Sequence, residues 1–264
     1  MLVLERVIKY FNYGTANEVL ALDGVDLIVE HGNFITVIGS NGAGKSTLLD
    51  AISGSFVPNA GRLVLDAKDV TCWPEWKRAR FIGRVFQDPH KGTCASMSIE
   101  DNLALARRRG RMGGLGRGIR PADRDYYRDG LQAIGLGMED RLRDQVGLLS
   151  GGQRQALTML MATMVKPKLL LLDEHTAALD PKTAYQIMDL TGRLVKAQTM
   201  TTLMVTHNMA QAIAFGNRLI MLHQGAIILD LDGEDKRRLT VEDLLERFYS
   251  LCKEKLSSDR LLLG

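Results

Sequence analysis

One stretch of this chain has the residue types and spacing to grip phosphate: Gly39-Ser40-Asn41-Gly42-Ala43-Gly44-Lys45-Ser46-Thr47. It fits the pattern G-x-x-x-x-G-K-[ST]. Gly39, Gly42 and Gly44 allow backbone angles that a Cβ forbids, so main-chain N–H groups can close around phosphate oxygens. Lys45 brings a positive charge to β- and γ-phosphates, and the Ser46 hydroxyl is a ligand for Mg²⁺. The helix expected from Lys45 to Ser53 would point its positive end at a triphosphate. Phe34–Ile38 is a short apolar run that reads as a buried strand, so the context is strand, loop, helix.

A second group of residues supplies acids. Leu169–Leu172 is a continuous apolar run that ends in Asp173 and Glu174. An all-apolar run suits a parallel strand buried on both faces, and ligands gather at the carboxyl ends of such strands. Asp173 would then hold Mg²⁺, directly or through water. Glu174 takes a different direction and can orient and deprotonate an attacking water. Ser150-Gly151-Gly152-Gln153 opens a predicted helix to about Val165. Its hydroxyl and N–H groups make an anion site, or it is an ordinary Ser-capped helix. Gln87 stands at the end of a strand over residues 82–86, before Pro89, and either faces a ligand or sits in a plain turn. His207 ends the strand Met200–Val205. It can hydrogen-bond a γ-phosphate, or serve structure alone. Tyr10-Phe11-Asn12-Tyr13-Gly14 reads as an aromatic turn whose ring either stacks on a purine or lines the rim of a sheet.

These residues need elements to hold them. Strands are expected over 2–8 and 20–30, where Val25, Leu27 and Val29 alternate with other residues in the manner of a half-buried antiparallel strand. Further strands are expected at 62–65, 218–222 and 226–231. Helices are expected at 75–80, at 98–109 with Ser98 as N-cap, from Pro121 to about Ile134, after Asp180 with Pro181 at the first position, and at about 241–251. The stretch Arg107–Arg120 holds six arginines, five glycines and no acid. Three readings compete for it: a solvated loop, contact with anionic lipid headgroups, and contact with RNA, the last weakened by the lack of an aromatic residue to stack a base. The tail from about residue 252 is rich in Lys, Ser and Leu.

The composition is that of an ordinary globular protein: 264 residues, 45% hydrophobic and 25% charged, with a net charge of +3. That charge is too small to argue for nucleic acid. No apolar run approaches the roughly 18–20 residues that cross a bilayer. The first residues lack the layout of a signal peptide, so a cytoplasmic location is expected. Cys72, Cys94 and Cys252 are widely spaced and make no metal or disulfide pattern.

Taken together, Gly39–Ser46, Gln87, Leu149-Ser-Gly-Gly-Gln153, Leu169–Glu174, Ala178-Leu179-Asp180 and His207 resemble, in that order, the ATP-binding subunit of ABC transporters. The resemblance covers nearly the whole chain. It implies an α/β fold: one P-loop NTPase (RecA-like) domain over residues 1–264, with an N-terminal antiparallel β-subdomain and an inserted α-helical subdomain at about 90–150. It assigns Gln87 to sensing Mg²⁺ and coupling to membrane subunits, His207 to the γ-phosphate, and Phe11, with Tyr13 as second choice, to the adenine ring. It implies ATP and Mg²⁺ as ligands. It also implies a homodimer in which Ser150–Gln153 covers ATP bound to the other copy.

The further partners implied are transmembrane permease subunits, with the chain peripheral on the cytoplasmic face of the membrane. His175 stands where many relatives have Pro, and Ala178 where many have Ser. The Asp-Glu-His-Thr-Ala-Ala-Leu-Asp form is most like bacterial uptake systems with a lipoprotein-type binding protein, for amino acids or similar small solutes. An extracytoplasmic solute-binding protein is therefore a further expected partner. An exporter ATPase and a soluble ABC protein are the alternatives. A DNA-repair member would insert a long coiled coil between Lys45 and Ser150, and a translation member would carry two cassettes. A GTPase would need an Asn-Lys-x-Asp motif, which is absent.

Overall fold

Val25, Leu27 and Val29 are buried while Asp26 and Ile28 face outward, so the alternation in the sequence is a true strand face. The computed structural model describes residues 1–110 and 118–262, with side chains through residue 251. In chain order the first elements are β1 (Leu2–Phe11), β2 (Val19–Val29), β3 (Phe34–Gly39), α1 (Lys45–Ser53), β4 (Ala60–Leu65), β5 (Lys68–Asp69), α2 (Glu75–Arg78) and β6 (Ile82–Val85). Next come α3 (Ile99–Arg107), α4 (Pro121–Ile134), a 3₁₀ turn at Val146–Leu148, α5 (Gly151–Thr163), β7 (Leu169–Asp173) and α6 (Pro181–Gln198). The last are β8 (Thr202–Val205), α7 (Met209–Ala214), β9 (Arg218–His223), β10 (Ala226–Asp232), α8 (Gly233–Arg237) and α9 (Val241–Leu262). The fold is α/β.

The chain divides into two compact units. The first comprises Met1–Cys72 and the chain from Leu203 onward. It holds a four-stranded antiparallel sheet in the order β2-β1-β4-β5. It also holds β3, which pairs in parallel with β9 from Ile35↔Arg218 to Gly39↔Leu222, and β10, antiparallel to β9. Ile38, Ala212, Leu219, Met221, Leu231, Leu239 and Leu244 form an apolar core there. Burying such side chains contributes about 1.5–3 kcal/mol each before entropy is counted.

The second unit, Trp73–Thr202, carries most of the helices and the parallel pair β6 and β7, in register from Ile82↔Leu169 to Val85↔Leu172. Its helices start where the sequence supplies caps. The Ser98 side chain accepts from the Asp101 N–H and the Asp101 carboxylate answers the Ser98 N–H, a reciprocal capping box. Asp180 Oδ1 accepts from the Thr183 N–H at 3.1 Å, with Pro181 in the first turn. Hydrogen bonds from Thr183 hold the Asp180 carboxyl below its usual range.

Two sequence expectations are corrected. Tyr10 and Phe11 are not in a turn: they close β1, opposite Leu20 and Val19 of β2. The strand continues through register shifts at Leu4/Val7, Val7/Lys9 and Lys9/Tyr10, which a simple alternation rule does not follow. The Arg-rich stretch is not uniformly solvated at its start. Arg107 ends α3 and pairs with Asp123 at 2.5 Å, and Arg109 donates to the Ala162 carbonyl at 3.0 Å. Residues 111–117 of that stretch lie outside the described residues.

Lys236 on α8 is 3% exposed. Its ammonium donates to the carbonyl of Phe215, to that of Gly216 at 3.2 Å and to Thr36 Oγ1 at 3.3 Å, tying the end of α7 to β3. Lys236→Met removes the donor and leaves buried acceptors unpaired, so it should cost about 2 kcal/mol in urea unfolding. Burial pulls the Lys236 pKa from 10.5 down to about 8. Between those values the unfolded chain holds a proton that the folded chain has shed, so this group makes stability rise with pH. The gap between wild type and Lys236→Met should therefore widen from about pH 8 to about pH 10.

Candidate functional site

The phosphate loop in the first unit runs from the carboxyl end of β3 into α1, and main-chain contacts hold it from two sides. The Gly225 N–H, in the turn between β9 and β10, donates to the Ala43 carbonyl at 3.0 Å, and the Asp23 N–H of β2 donates to the Gly225 carbonyl at 2.9 Å. The approach is so close that a Cβ on Gly39 would lie 2.2 Å from the Leu222 carbonyl oxygen, and one on Gly44 2.5 Å from that of Ala21. Gly44 caps α1 with a φ of +99°, a conformation that side chains with a Cβ rarely adopt. Lys45 is 6% exposed, and its ammonium donates to the carbonyls of Gly39 at 2.9 Å and Ser40 at 3.0 Å. The loop thus folds around its own cation. Ser40, Asn41, Gly42 and Ser46 are exposed, Thr47 is half-buried and Ala43 is buried.

His207 belongs to the same unit. The Thr206 N–H donates to the Val37 carbonyl of β3 at 3.1 Å, and Asn208 caps α7 through the Gln211 N–H at 3.0 Å. His207 is therefore held exposed between two anchored neighbours, beyond the end of the strand beside β3. Phe11 is 40% exposed, edge-on to Phe56 with centroids 5.7 Å apart, and the Lys9 ammonium lies 5.3 Å from its centroid. Tyr13 is 71% exposed and packs on Tyr10.

The second unit gathers the acids. Asp173 is buried at the end of β7, while Glu174 is half-buried in the left-handed region with a φ of 43°. Gln87 Nε2 donates to Glu174 Oε2 at 3.1 Å, so two residues singled out separately in the sequence meet here. Arg84 of β6 lies 3.4 Å from Asp173 Oδ2, and its guanidinium stacks 4.7 Å from the Phe86 centroid. Arg84 carries no motif of its own; its one signal in the sequence is a lone cation in an otherwise apolar strand. His175, which departs from the Pro of many relatives, has no other mark in the sequence. It is 2% exposed, and burial pushes its imidazole down to about 4, so the ring is neutral.

Ser150 and Gln153 form a capping box at the start of α5: Ser150 Oγ accepts from the Gln153 N–H at 3.2 Å, and Gln153 Oε1 accepts from the Ser150 N–H at 3.2 Å. Gln153 Nε2 also donates to the Leu136 carbonyl at 3.1 Å. Gly152 is buried against α6, where a Cβ would meet Thr183 Cγ2 at 2.2 Å. Its lack of a side chain serves helix packing, which the sequence reading did not foresee. Gly151 and Ser150 stay exposed.

Each unit offers oxygen donors of the kind a hard cation such as Mg²⁺ takes: the Ser46 hydroxyl in the first unit, and in the second the Asp173 carboxylate and the Gln87 amide oxygen, whose nitrogen is directed at Glu174. Among the described residues no cluster of three or more His, Cys, Asp or Glu could hold a metal by itself.

Comparison with known proteins gives the chain's relatives. A family model described as ABC transporter matches residues 22–177. A tyrosine transport ATP-binding protein of Clostridioides difficile is 44% identical over 250 residues, covering 94% of this chain and 98% of that protein. An aliphatic sulfonates import ATP-binding protein of Mesorhizobium japonicum is 35% identical over 214 residues, covering 81% of this chain and 74% of its own. A solved dimeric ATP-binding cassette, in a post-hydrolysis state with ADP and Pi, matches with a TM-score of 0.76 and 29% identity, covering 88% of this chain and 98% of that one.

The backbone contacts of the loop make a direct prediction. Gly44→Ala combines a forbidden φ with a clash against a main-chain oxygen, so urea unfolding should show a loss of more than about 2 kcal/mol. A loss under about 0.5 kcal/mol would mean the loop can relax away from β2.

Proposed function

This chain belongs to the ABC transporter family, and from that premise we propose that it is the ATPase of a bacterial importer and that its hydrolytic machinery is the set of residues described above. ATP and water give ADP and phosphate, and the hydrolysis energises transport. The observation that carries the reading is the phosphate loop closed on Lys45 at the end of β3.

The N–H groups of Gly39–Thr47 bind phosphate oxygens, and the Lys45 charge offsets that of the β- and γ-phosphates. Ser46, Asp173 and Gln87 would supply the oxygen donors for Mg²⁺, which when bound would offset charge on the phosphates. Glu174 accepts the proton of the attacking water, oriented by the amide of Gln87. His207 donates a hydrogen bond to the γ-phosphate. Phe11 stacks on adenine, with Tyr13 as the second choice. Residues Ser150–Gln153 cover ATP held by a second copy of the chain, with the N-terminal end of α5 offering its N–H groups to the phosphates.

The chain forms an ATP-dependent homodimer and works with transmembrane permease subunits from the cytoplasmic face of the membrane. Among the described residues no helix is long and apolar enough to cross a membrane, which leaves the solute path to those partners. The solute is an amino acid or similar small molecule, handed over by an extracytoplasmic binding protein. The name of the tyrosine-transport relative supports that class.

Glu174→Gln should bind ATP with near wild-type affinity and lose at least about a hundredfold in kcat, read by phosphate release. Turnover near the wild-type rate would remove Glu174 from the role of base. Lys45→Ala should weaken ATP binding at least about tenfold in calorimetric titration. Unchanged affinity would count against the phosphate-loop assignment.

A further inference from the structure

The chain leaves β7 through two neighbours that go opposite ways. Glu174 is half-buried with its carboxylate on the Gln87 amide, whereas His175 is sealed inside the second unit. His175 Nε2 lies 3.1 Å from Thr191 Oγ1 on α6. The polarity of that bond follows from a count of hydrogens. A threonine hydroxyl has one hydrogen to give, and that of Thr191 goes to the Ile187 carbonyl at 2.8 Å. Thr191 Oγ1 is therefore the acceptor, and the imidazole hydrogen sits on His175 Nε2.

We propose that the His175–Thr191 hydrogen bond is the device that positions Glu174. It fixes the turn after β7 against the body of α6 and so keeps the Glu174 carboxylate on Gln87. The proposal rests on the reading of Glu174 as the base given above.

Three observations lead to it. The φ of 43° at Glu174 is a conformation that costs a residue with a Cβ about 1–2 kcal/mol, and it persists only where neighbours hold it. One restraint acts on the carbonyl side of the residue, where the Ala177 N–H donates to Glu174 O at 2.9 Å. The other acts at the next side chain. His175 is tied to α6 eleven residues after Asp180, which caps that helix. The turn is thus pinned at its start through the middle of α6 and at its end through the cap. A hydrogen bond between two fully buried partners is strong and poorly replaced by water, which suits a restraint on geometry. His175 and Thr191 touch no reacting atom in this account; they act through the backbone of Glu174.

The test is steady-state ATP hydrolysis by the full chain carrying Thr191→Val, which keeps the shape and removes the acceptor, beside Thr191→Ser, which keeps the hydroxyl. Thr191→Val should lower kcat roughly tenfold with KM for ATP within about twofold of wild type, and Thr191→Ser should restore kcat. A Thr191→Val enzyme with wild-type kcat would overturn the proposal. So would a loss that Thr191→Ser fails to rescue or that falls on KM instead. If Thr191→Val does not fold, His175→Gln and His175→Leu replace it: the first retains an N–H donor and should keep kcat, the second should lose it, and equal rates would sink the idea. Glu174→Gln in the same assay separates the two readings. If that variant turns over normally the base assignment has failed. If it is dead while Thr191→Val is normal, only the positioning role has failed.

Discussion

The phosphate loop exists because main chain can lie directly on main chain. Gly39 sits against the Leu222 carbonyl and Gly44 against that of Ala21, at distances no Cβ would tolerate. That contact lets the turn between β9 and β10 bind the loop through Gly225 and Ala43, and lets β2 bind that turn through Asp23. A loop of small residues is otherwise among the most mobile parts of a fold. Here three strands and a hairpin turn hold it, and the Lys45 ammonium is folded onto the loop's own Gly39 and Ser40 carbonyls. In the function proposed above, donors held in this way need little rearrangement at the moment of reaction, which is where electrostatic catalysis gains most.

The second unit applies a related rule to carboxylates. The apolar run of β7 is buried along its full length, and its polarity is confined to the exit. Asp173 stays in the strand beside Arg84, while the left-handed turn at Glu174 sends the next carboxylate to Gln87. One residue of separation thus produces two acids with different partners. The capping box of Ser150 and Gln153 does similar work at the start of α5. Because it occupies the Gln153 side chain internally, the groups left at the surface are Ser150 and Gly151.

Much of this was legible in the sequence because it is local. The glycine-rich loop, the Ser98 and Asp180 caps, Pro181 at a helix start and the apolar run into Asp173 are each decided within a few neighbouring residues. What escaped depends on residues far apart in the chain. Arg84 with Asp173, His175 with Thr191, and Gly225 with Ala43 have no signature short of the fold itself. Aromatic residues beside Asn12 and Gly14 suggest a turn at Tyr10 and Phe11, yet pairing with Leu20 and Val19 carries β1 as far as Phe11. The short helices α7 and α8 were missed for want of length, although Asn208 gave α7 a cap. Gly152 was read for its N–H group, whereas its packing against Thr183 is a tertiary matter.

In the function proposed above, two copies of this chain close around ATP, each offering its phosphate loop and its Ser150–Gln153 segment. The most direct measurement is light scattering coupled to size-exclusion chromatography of Glu174→Gln, with and without ATP and Mg²⁺, with bound nucleotide assayed in every peak. The expected result is a monomer without nucleotide and a dimer carrying two ATP molecules with it. A species that remains monomeric with ATP bound would contradict it.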